Sequence, residues 1–525
     1  MRVLISDPIA DKGVAMLEEA GFHVDVRTKK SEEEICGFID EYHAMIVRSQ
    51  TKVTRNIIEK ARNLKIIGRA GVGIDNIDVD AATEKGIVVV NAPEGNTIAA
   101  TEHTLAMMLA FARNIPKANE LLKQGLWERK KFTGVELRNK VLGIIGLGKI
   151  GSGVASRARA FEMNVLAYDP YISEERAKQM GVELSDFNGV IENADFLTIH
   201  LPLTEETYHL IGGEQIKKMK PGVKIVNVAR GGIIDEQALY EALKEGKIAG
   251  AAVDVFENEP ETKSPLFDLE NVVVTPHLGA STEEAQLNVA IDVVEEIIQA
   301  LKGELVKNAV NIPSIKPELQ HILNPYRELV EKLGKLISQL VDSHIKKVEI
   351  KYNGDIAQYN VTSLTNTFLK GLLRPILKDA VNYVNAPLIA QSRGISVSEN
   401  KSVELDDYAN LITVSVETEK CTKTISGSLF GKHDARIVRI DGFTVDAVPQ
   451  GHMLVVPHID KPKIIGPVGH LIGQHDINIA GMQVGRKNIG GRAVMFLNVD
   501  SEVPVKTIKE LAKIDGVLDV KYVRL

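Results

Sequence analysis

The stretch that decides the fold is VLGIIGLGKIG, residues 141–151, in which Gly146, Gly148 and Gly151 form a G-x-G-x-x-G pattern. An apolar run precedes these glycines, and the helical pattern of SGVASRARAF follows them. The next apolar run, NVLAYD, ends in Asp169, close to the position at which a ribose-binding acid is expected. This order of strand, glycine turn, helix, strand and acid predicts a Rossmann-type dinucleotide-binding unit.

Each residue of the motif has its own physical role in binding a dinucleotide. Gly146 permits the tight turn, Gly148 lets a pyrophosphate approach the backbone, and Gly151 lets the helix pack against the strand. The amides at the start of the helix then face the phosphates. Asp169 would accept hydrogen bonds from both hydroxyls of the adenosine ribose and would repel a 2′-phosphate. The motif therefore predicts NAD, rather than NADP, as the cofactor.

On both sides of the motif, over roughly the first 300 residues, short β-branched apolar runs alternate with amphipathic segments. This alternation predicts an α/β fold in which helices cover both faces of parallel sheets. Segment 97–113 is predicted to be a long helix at a domain border, and 289–302 a helix that returns to the first domain. A second glycine cluster, GRAGVGIDN (68–76), lacks the third glycine of a dinucleotide loop and is interpreted as a substrate-facing turn or a plain loop.

The C-terminal part of the chain has a different pattern. Three prolines within residues 311–325 predict a linker. Strand-like and helical patterns are mixed between 326 and 450. From 451 to the end, the order βαββαβ predicts a ferredoxin-like module.

Composition excludes several classes of protein. With 525 residues, 44% of them hydrophobic and 25% charged, the chain is predicted to form several globular domains. Its net charge of −7 disfavours general polyanion binding, so no nucleic acid partner is expected. Its two cysteines, Cys36 and Cys421, predict neither a disulfide framework nor a metal cluster. The sequence has neither a signal-peptide pattern nor a membrane-length apolar run, which predicts a cytoplasmic protein without a membrane partner.

Three predicted strands end in residues suited to hydride transfer, within VNVARGG, VDVFENEP and VVTPHLGAST. The carboxyl ends of parallel strands line the ligand crevice of such a sheet. Arg230 can hold a carboxylate and polarise the C2 oxygen of a 2-hydroxy acid, while His277 accepts the hydroxyl proton. Glu259 can orient the imidazole and stabilise its charged form. Asp254, in the same region, could contact the carboxamide or ribose of the cofactor.

Together with GRAGVGIDNID and NAPEGNTIAATE, these motifs closely resemble the NAD-dependent D-2-hydroxyacid dehydrogenases. The resemblance covers essentially the whole chain and is closest to the long family members. It implies a Rossmann-type NAD domain inserted in a flavodoxin-like substrate domain, followed by an α+β intervening domain and a ferredoxin-like ACT domain. The implied substrate-binding domain comprises residues 1–97 and 290–312, and the NAD-binding domain comprises 98–289. The intervening domain, of the allosteric-substrate-binding type, is 313–450, and the regulatory ACT domain is 451–525.

The resemblance also implies which residues form the site, and it gives the catalytic roles to Arg230, Glu259 and His277. The implied cofactor contacts are Gly146, Gly148, Lys149, Ile150, Gly151, Asp169, Val228, Ala229, Asp254, Gly279 and Ala280. The implied substrate contacts are Arg48, Ser49 and Asn96, with Arg129 reaching in from a neighbouring subunit. Family members often have Thr at position 72 and Cys at position 228; both are Val here, so main-chain contacts are expected there.

The ACT resemblance implies regulation by a small molecule. His458, Asp460 and Asn478 stand at the positions at which such modules hold an amino acid, which implies L-serine as the effector, bound across an interface between subunits. Association through both the 97–113 helix and the ACT module is expected, giving a homotetramer or at least a dimer.

The implied activity is the NAD-dependent oxidation of 3-phospho-D-glycerate to 3-phosphooxypyruvate, the first step of L-serine biosynthesis. One alternative is another D-2-hydroxyacid dehydrogenase, such as a glyoxylate or hydroxypyruvate reductase. The substrate of such an enzyme has no phosphate and therefore needs no additional cations such as Arg48 and Arg129. A second is an NAD-sensing corepressor on the same scaffold, which would not require the catalytic set. A third alternative is that the C-terminal half of the chain is a separate regulator that binds an amino acid.

Overall fold

The computed structural model describes residues 1–304, 306–313, 317–404 and 407–525, whose strands form four sheets. The first two sheets are parallel, the third is mixed and the fourth is antiparallel. The predicted α/β class is therefore confirmed. Among these residues, no helix is both long and apolar enough to cross a membrane.

The first sheet is built from the N-terminal part of the chain. Its strands are β1 (Arg2–Ile5), β2 (His23–Val26), β3 (Ala44–Val47), β4 (Ile66–Arg69) and β5 (Val88–Asn91), and its helices are α1 (Asp11–Glu19), α2 (Glu32–Phe38), α3 (Arg55–Lys60) and α4 (Val79–Glu84). The parallel order β2-β1-β3-β4-β5 is the expected flavodoxin-like arrangement. All four residues of β3 are buried, because helices cover both faces of the sheet.

The second sheet has seven parallel strands around the glycine motif. They are β6 (Val141–Ile145), β7 (Asn164–Tyr168), β8 (Glu183–Leu184), β9 (Phe196–Ile199), β10 (Val223–Asn227), β11 (Ile248–Val253) and β12 (Val272–Val274). Their helices are α5 (Thr97–Ala112), α6 (Ile115–Lys123), α7 (Lys149–Ala160), α8 (Glu174–Met180), α9 (Phe187–Asn193), α10 (Gly213–Lys218) and α11 (Glu236–Lys244). In the order β12-β11-β10-β9-β6-β7-β8, the direction of winding reverses between β6 and β9, where the ligand crevice of such sheets opens.

The helix predicted to return to the first domain does so as α12 (Glu283–Leu301). Thr282 caps it by accepting a hydrogen bond from the Ala285 amide at 3.1 Å. Val293 packs directly on β4, where a Cβ at Gly68 would lie 2.5 Å from the Val293 side chain. The buried residues of α12 belong to the core of the first sheet. The chain therefore passes from the first sheet to the second and then returns.

The third sheet is mixed. Its strands are β13 (Ile345–Gly354), β14 (Ser396–Ser402), β15 (Asn410–Thr418), β16 (Thr422–Phe430), β17 (Asp434–Ile440) and β18 (Phe443–Ala447), and its helices are α13 (Pro317–Leu340), α14 (Thr362–Leu377) and α15 (Ala386–Ser392). Only β13 and β14 pair in parallel; the other neighbours are antiparallel.

The predicted linker over 311–325 is wrong from Pro317 onward, because α13 begins there and Pro325 lies inside it. A proline at a helix start costs little, since the first amides lack intrahelical partners. The helix continues past Pro325 because residues such as Leu329, Leu333 and Leu336 are completely buried against the third sheet. Residues 314–316 of the predicted linker lie outside the described residues.

The fourth sheet confirms the predicted βαββαβ module. Its elements are β19 (His452–Ile459), α16 (Ile465–Gln474), β20 (Ile479–Arg486), β21 (Arg492–Val499), α17 (Val505–Leu511) and β22 (Lys521–Arg524). The antiparallel order is β20-β21-β19-β22, with both helices packed on one core.

Candidate active site

The glycine turn has the shape that its sequence predicts. Gly146 has a φ of +91°, and a Cβ there would lie 2.6 Å from the His200 carbonyl oxygen. A Cβ at Gly151 would overlap the Gly146 carbonyl oxygen, so only glycine allows α7 to approach β6 this closely. Gly148, at the start of α7, has no atom within 4 Å of a Cβ position, which leaves its outer side open to a ligand. The turn therefore fits a pyrophosphate.

Asp169 follows β7 and connects that strand to the glycine turn. Its Oδ2 accepts a hydrogen bond from the Leu147 amide at 2.8 Å, and its Oδ1 accepts one from the Tyr171 amide at 2.9 Å. Each carboxylate oxygen has a further lone pair, so these bonds leave acceptor capacity for ribose hydroxyls.

A cleft of about 460 Å³, here called the interdomain cleft, opens between the first and second sheets. A volume of this size suits a small organic ligand. Several predicted site residues line it: Asn96, Ile150, Val228, Ala229, Arg230, His277, Gly279 and Ala280. The Asn96 Oδ1 is buried without a partner among the described residues, as expected of an atom that a ligand would satisfy. The open glycine turn fits a bound dinucleotide, and the unpaired Asn96 oxygen is available to a ligand in the same cleft.

A second cleft of about 530 Å³, the side cleft, shares one wall with the first. Ser49 and Lys52 line it, together with Glu259 and His277. His277 is the residue common to both clefts. Its imidazole therefore stands between two spaces that could hold two different ligands.

His277 and Glu259 form the predicted pair. The distance between His277 Nδ1 and Glu259 Oε2 is 2.6 Å, and Glu259 Oε1 accepts a hydrogen bond from the Phe256 amide at 3.1 Å. Burial alone would raise the pKa of Glu259, but its hydrogen bond and charge interaction with His277 lower this pKa below its ordinary value. The carboxylate thus stays charged and fixes the ring through Nδ1, which leaves Nε2 for chemistry.

Asp254 is placed differently from the other predicted contacts, because its side chain is completely buried and does not line either cleft. Its oxygens accept hydrogen bonds from the Leu278 amide at 2.7 Å, the Gly279 amide at 2.9 Å and the Thr275 hydroxyl at 2.5 Å. His103 Nε2, on α5, is 3.2 Å away. Burial favours a raised pKa for Asp254, yet these hydrogen bonds lower it, so a charged carboxylate holds this turn.

The turn held by Asp254 is the one that carries the His277 imidazole. His277 has a φ of +55°, in the left-handed region that a non-glycine residue adopts at a cost. Its amide donates to the Asp254 carbonyl oxygen at 2.8 Å, so the same residue fixes the turn through backbone and side chain. Sequence reasoning missed His103; its signal was that it is the one histidine of the largely apolar helix α5.

Two arginines stand close together on the other side of the interdomain cleft. Arg230 Nε lies 3.2 Å from Asp75 Oδ2, and its Nη1 donates to the Ala229 carbonyl oxygen at 2.7 Å. Arg69 is partly buried; its Nη1 donates to the Ala70 carbonyl oxygen at 3.4 Å, and its buried Nε has no hydrogen-bond partner among the described residues. Burial, and then the nearby charges of Arg230 and Arg48, lower the pKa of Arg69 to about 10. Arg69 was also missed; the signal was its position at the end of β4, in the glycine cluster interpreted as a substrate-facing turn.

The remaining predicted substrate and cofactor residues are less closely grouped. The Arg48 amide donates to Asp7 Oδ2 at 2.6 Å, which fixes the end of β3 beside the side cleft. Lys149 Nζ lies 2.5 Å from Glu94 Oε1, so an ion pair joins the glycine turn to the loop after β5. Arg129 lies in an exposed turn and lines neither cleft within one chain.

The predicted effector residues are separated within one chain. Asp460 follows β19 and lies 3.3 Å from Arg486, whereas Asn478 precedes β20 and donates to Asp500 at 2.7 Å. Because the strands are antiparallel, Asn478 lies level with the start of β19 and Asp460 with its end, roughly 30 Å away along the strands. His458 is buried in β19. One small ligand cannot touch both ends of one module.

Comparisons with known proteins agree with this geometry. Residues 105–279 match the family described as D-isomer specific 2-hydroxyacid dehydrogenase, NAD binding domain. Residues 322–441 match the D-3-phosphoglycerate dehydrogenase intervening domain, and residues 452–516 match the ACT domain.

Curated relatives are similar over their full length. The chain is 49% identical over 528 residues to a D-3-phosphoglycerate dehydrogenase of Archaeoglobus fulgidus, with 100% of both chains covered. It is 46% identical to that of Bacillus subtilis, covering 100% of this chain and 99% of the relative. Among solved structures, D-lactate dehydrogenase from Aquifex aeolicus, complexed with NAD and lactic acid, is 29% identical with a TM-score of 0.54, covering 60% of this chain and 100% of that one.

Proposed function

The chain belongs to the D-3-phosphoglycerate dehydrogenase family of D-isomer specific 2-hydroxyacid dehydrogenases, and from this premise we propose that Arg230, Glu259 and His277 carry its reaction. That reaction is the NAD-dependent oxidation of 3-phospho-D-glycerate to 3-phosphooxypyruvate, which begins L-serine biosynthesis. The observation that carries the residue assignment is the 2.6 Å contact between His277 and Glu259 in the wall shared by two clefts. Formation of NADH from 3-phospho-D-glycerate tests the activity.

In the proposed chemistry, the CH–OH group at C2 loses a hydride from its carbon and a proton from its oxygen, and the two go to different acceptors. Bound NAD⁺ supplies the acceptor for the hydride that leaves C2. His277 Nε2 accepts the hydroxyl proton, and the electron pair of the O–H bond forms the carbonyl of the product. Glu259 stabilises the imidazolium that results. Arg230 exchanges its contact with Asp75 for the substrate carboxylate and polarises the C2 oxygen.

The substrate phosphate needs cations in addition to Arg230. We propose that Arg48 and Ser49 bind it, with Asn96 nearby and Arg129 contributed by a neighbouring subunit. The exposed position of Arg129 on a single chain supports a contribution across an interface. Arg69 joins this set, because its partly buried guanidinium has a buried Nε without a partner among the described residues. These cations favour the phosphorylated acid over glyoxylate or hydroxypyruvate.

The proposed NAD contacts are those of the glycine turn and the strand ends around it. They are Gly146, Gly148, Lys149, Ile150, Gly151, Asp169, Val228, Ala229, Gly279 and Ala280. We propose that Asp254 acts on the cofactor indirectly, through the Leu278 and Gly279 amides that it holds.

We predict that Asp169→Ala weakens NAD binding by roughly tenfold and narrows the preference for NAD over NADP. The reason is that the substitution removes both the ribose acceptor and the charge that repels a 2′-phosphate, an interaction on the order of 1–3 kcal/mol. Fluorescence titration with NADH and NADPH measures both affinities in one protein. An unchanged ratio of the two affinities would contradict the role of Asp169.

The four sheets suggest how the chain is divided. We propose a substrate-binding domain of 1–97 and 290–312, an NAD-binding domain of 98–289, an intervening domain of 313–450 and an ACT domain of 451–525. The return of α12 to the first sheet supports the discontinuous substrate domain. We also propose a cytoplasmic location, in which Cys36 and Cys421 are reduced; both are free in the structure.

We propose that L-serine is the effector of the ACT domain and that the enzyme is a homotetramer. Asp460 would bind the ammonium group, beside His458, and Asn478 would come from a second copy. The separation of Asp460 from Asn478 within one module supports a site shared between two copies. A symmetric pair of modules would place each residue next to its partner in the other copy.

We predict that L-serine inhibits the enzyme and that Asp460→Ala raises the half-inhibitory concentration by at least tenfold. Loss of a charge-assisted hydrogen bond has about this effect. Glu502→Ala is the control, because Glu502 is an exposed acid of the same module, beyond the far end of β21 from Asp460. Equal inhibition of wild type and Asp460→Ala would refute the assignment, and sedimentation with and without L-serine tests the shared site.

A further inference from the structure

The His103 side chain, on helix α5, contacts the turn that carries His277. Its Nε2 lies 3.2 Å from Asp254 Oδ1 and 3.3 Å from the Thr275 hydroxyl oxygen. The His103 side chain is 18% exposed, whereas that of Asp254 is completely buried. This contact joins α5 to the segments that follow β11 and β12.

The neighbours of His103 Nε2 determine whether this nitrogen carries a hydrogen. The Thr275 hydroxyl has one hydrogen, which points to Asp254 Oδ1 at 2.5 Å rather than to the Met107 sulfur at 3.7 Å. The Thr275 oxygen can then only accept a hydrogen bond from the imidazole, and a charged carboxylate can only accept as well. His103 Nε2 must therefore carry a hydrogen and donate it, whatever the charge of the ring.

Asp254 depends on this donor because its charge is buried. Among the residues that the structure describes, His103 is the sole ion-pair partner of Asp254. Burial would raise the pKa of the Asp254 carboxyl, but hydrogen bonds, first that of His103, lower this pKa below its ordinary value. Without His103 the carboxylate would be buried with the Thr275 hydroxyl and two amides as its donors, a costly state for a charged group.

The restraint on Asp254 extends to the residue proposed as the base. The carboxylate accepts from the amides of Leu278 and Gly279, which directly follow His277, and the His277 amide donates to the Asp254 carbonyl oxygen. These bonds hold the left-handed backbone of His277, a conformation that favours release of the turn if they weaken. A rotation of this backbone would move the imidazole away from Glu259 and from the C2 hydroxyl of the substrate.

We propose that His103 is a positioning residue for the reaction, whose Nε2–H holds Asp254 and thereby fixes the His277 imidazole in the wall between the two clefts. The inference rests on the proposed role of His277 as the base. His103 itself lines neither cleft, so it acts on the rate through the geometry of the turn and not through contact with the substrate.

The kinetic test compares His103→Leu, which removes the donor, with His103→Gln, whose amide nitrogen can donate from about the same place. Turnover is measured per NADH-binding site, so that inactive protein does not contribute. We expect His103→Leu to lower kcat for 3-phospho-D-glycerate roughly 10–100-fold with KM within about threefold of wild type, because a shift of about 1 Å in a reacting group can have this effect. His103→Gln should recover most of the loss.

Met107→Leu is the matched control, because Met107 lies one turn further along α5 and contacts the same Thr275 without reaching Asp254 through a donor. It should keep the kcat of wild type. The proposal is overturned if His103→Leu keeps wild-type kcat, if His103→Gln loses as much as His103→Leu, or if Met107→Leu loses as much as either.

Hydrogen–deuterium exchange gives a second measurement that needs no turnover. In His103→Leu we expect faster exchange at the amides of Leu278 and Gly279, with exchange in β6 unchanged, since a general loss of stability would affect both. Unchanged exchange in the turn would overturn the proposal. Absence of NADH formation by the wild type would instead overturn the proposed function, and the exchange result would still decide whether His103 holds the turn.

Discussion

Replacing His277 by alanine is expected to reduce the turnover of 3-phospho-D-glycerate by about 10³-fold while leaving the affinity for NADH within about twofold of wild type. The substitution removes the proton acceptor, and a positioned general base contributes about 10²–10⁴ to a rate. The glycine turn and Asp169, to which we assign dinucleotide binding, are hydrogen-bonded to each other, whereas the imidazole is bonded to Glu259. Steady-state rates and NADH fluorescence titration on one preparation measure both quantities.

The chain provides a matched control for this experiment in His209. This residue also has a left-handed backbone, with a φ of +51°, and its Nε2 lies 2.9 Å from Glu257 Oε1. It lines neither cleft, so His209→Ala should retain turnover close to that of wild type. If His277→Ala lost NADH binding together with turnover, or if both variants lost turnover equally, His277 would be a structural residue rather than the base.

Replacing Arg230 by lysine is expected to lower kcat/KM for 3-phospho-D-glycerate by about 10²–10³-fold, although the positive charge is kept. A lysine cannot hold a carboxylate in two parallel hydrogen bonds while polarising the C2 oxygen. Removal of one such donor to a developing charge has an effect of this size. Initial rates over a range of substrate concentrations separate the loss in kcat from the rise in KM.

Arg138→Lys is the control for Arg230→Lys, because Arg138 is an exposed arginine of the same domain that pairs with Glu162 at 2.8 Å. It should leave kcat/KM unchanged. A value for Arg230→Lys within a few-fold of wild type would mean that Arg230 holds Asp75 in place and does not contact the substrate.

Local sequence was sufficient to predict the glycine turn, because all of its constraints lie between β6 and α7. The meeting of Glu259 and His277 could also be predicted, although the two residues come from different strands, because the ends of parallel strands lie at one edge of a sheet. The roles of Arg69 and His103 could not be predicted in this way. The proposed role of Arg69 depends on its partial burial near Arg230 and Arg48, and that of His103 on its contact with Asp254, and a single sequence specifies neither.

Two further features depended on tertiary packing rather than on local pattern. The prolines of 311–325 favour a linker by propensity, but burial of the apolar face of α13 against the third sheet outweighs the effect of Pro325. Asp460 and Asn478 match the positions of an effector site in sequence, yet the antiparallel register separates them within one module. Only a second copy can bring them together.

The most direct test of the account compares the rates of NAD⁺ reduction by 3-phospho-D-glycerate and by D-glycerate, which differ only in the phosphate. If two or more of the arginines 48, 69 and 129 bind that phosphate, kcat/KM should be at least about 10²-fold higher for the phosphorylated acid, since each charge-assisted contact contributes roughly 1.5–3 kcal/mol. Equal efficiency with the two acids, or no NADH from either, would contradict the claim that a phosphorylated 2-hydroxy acid meets the cofactor beside His277.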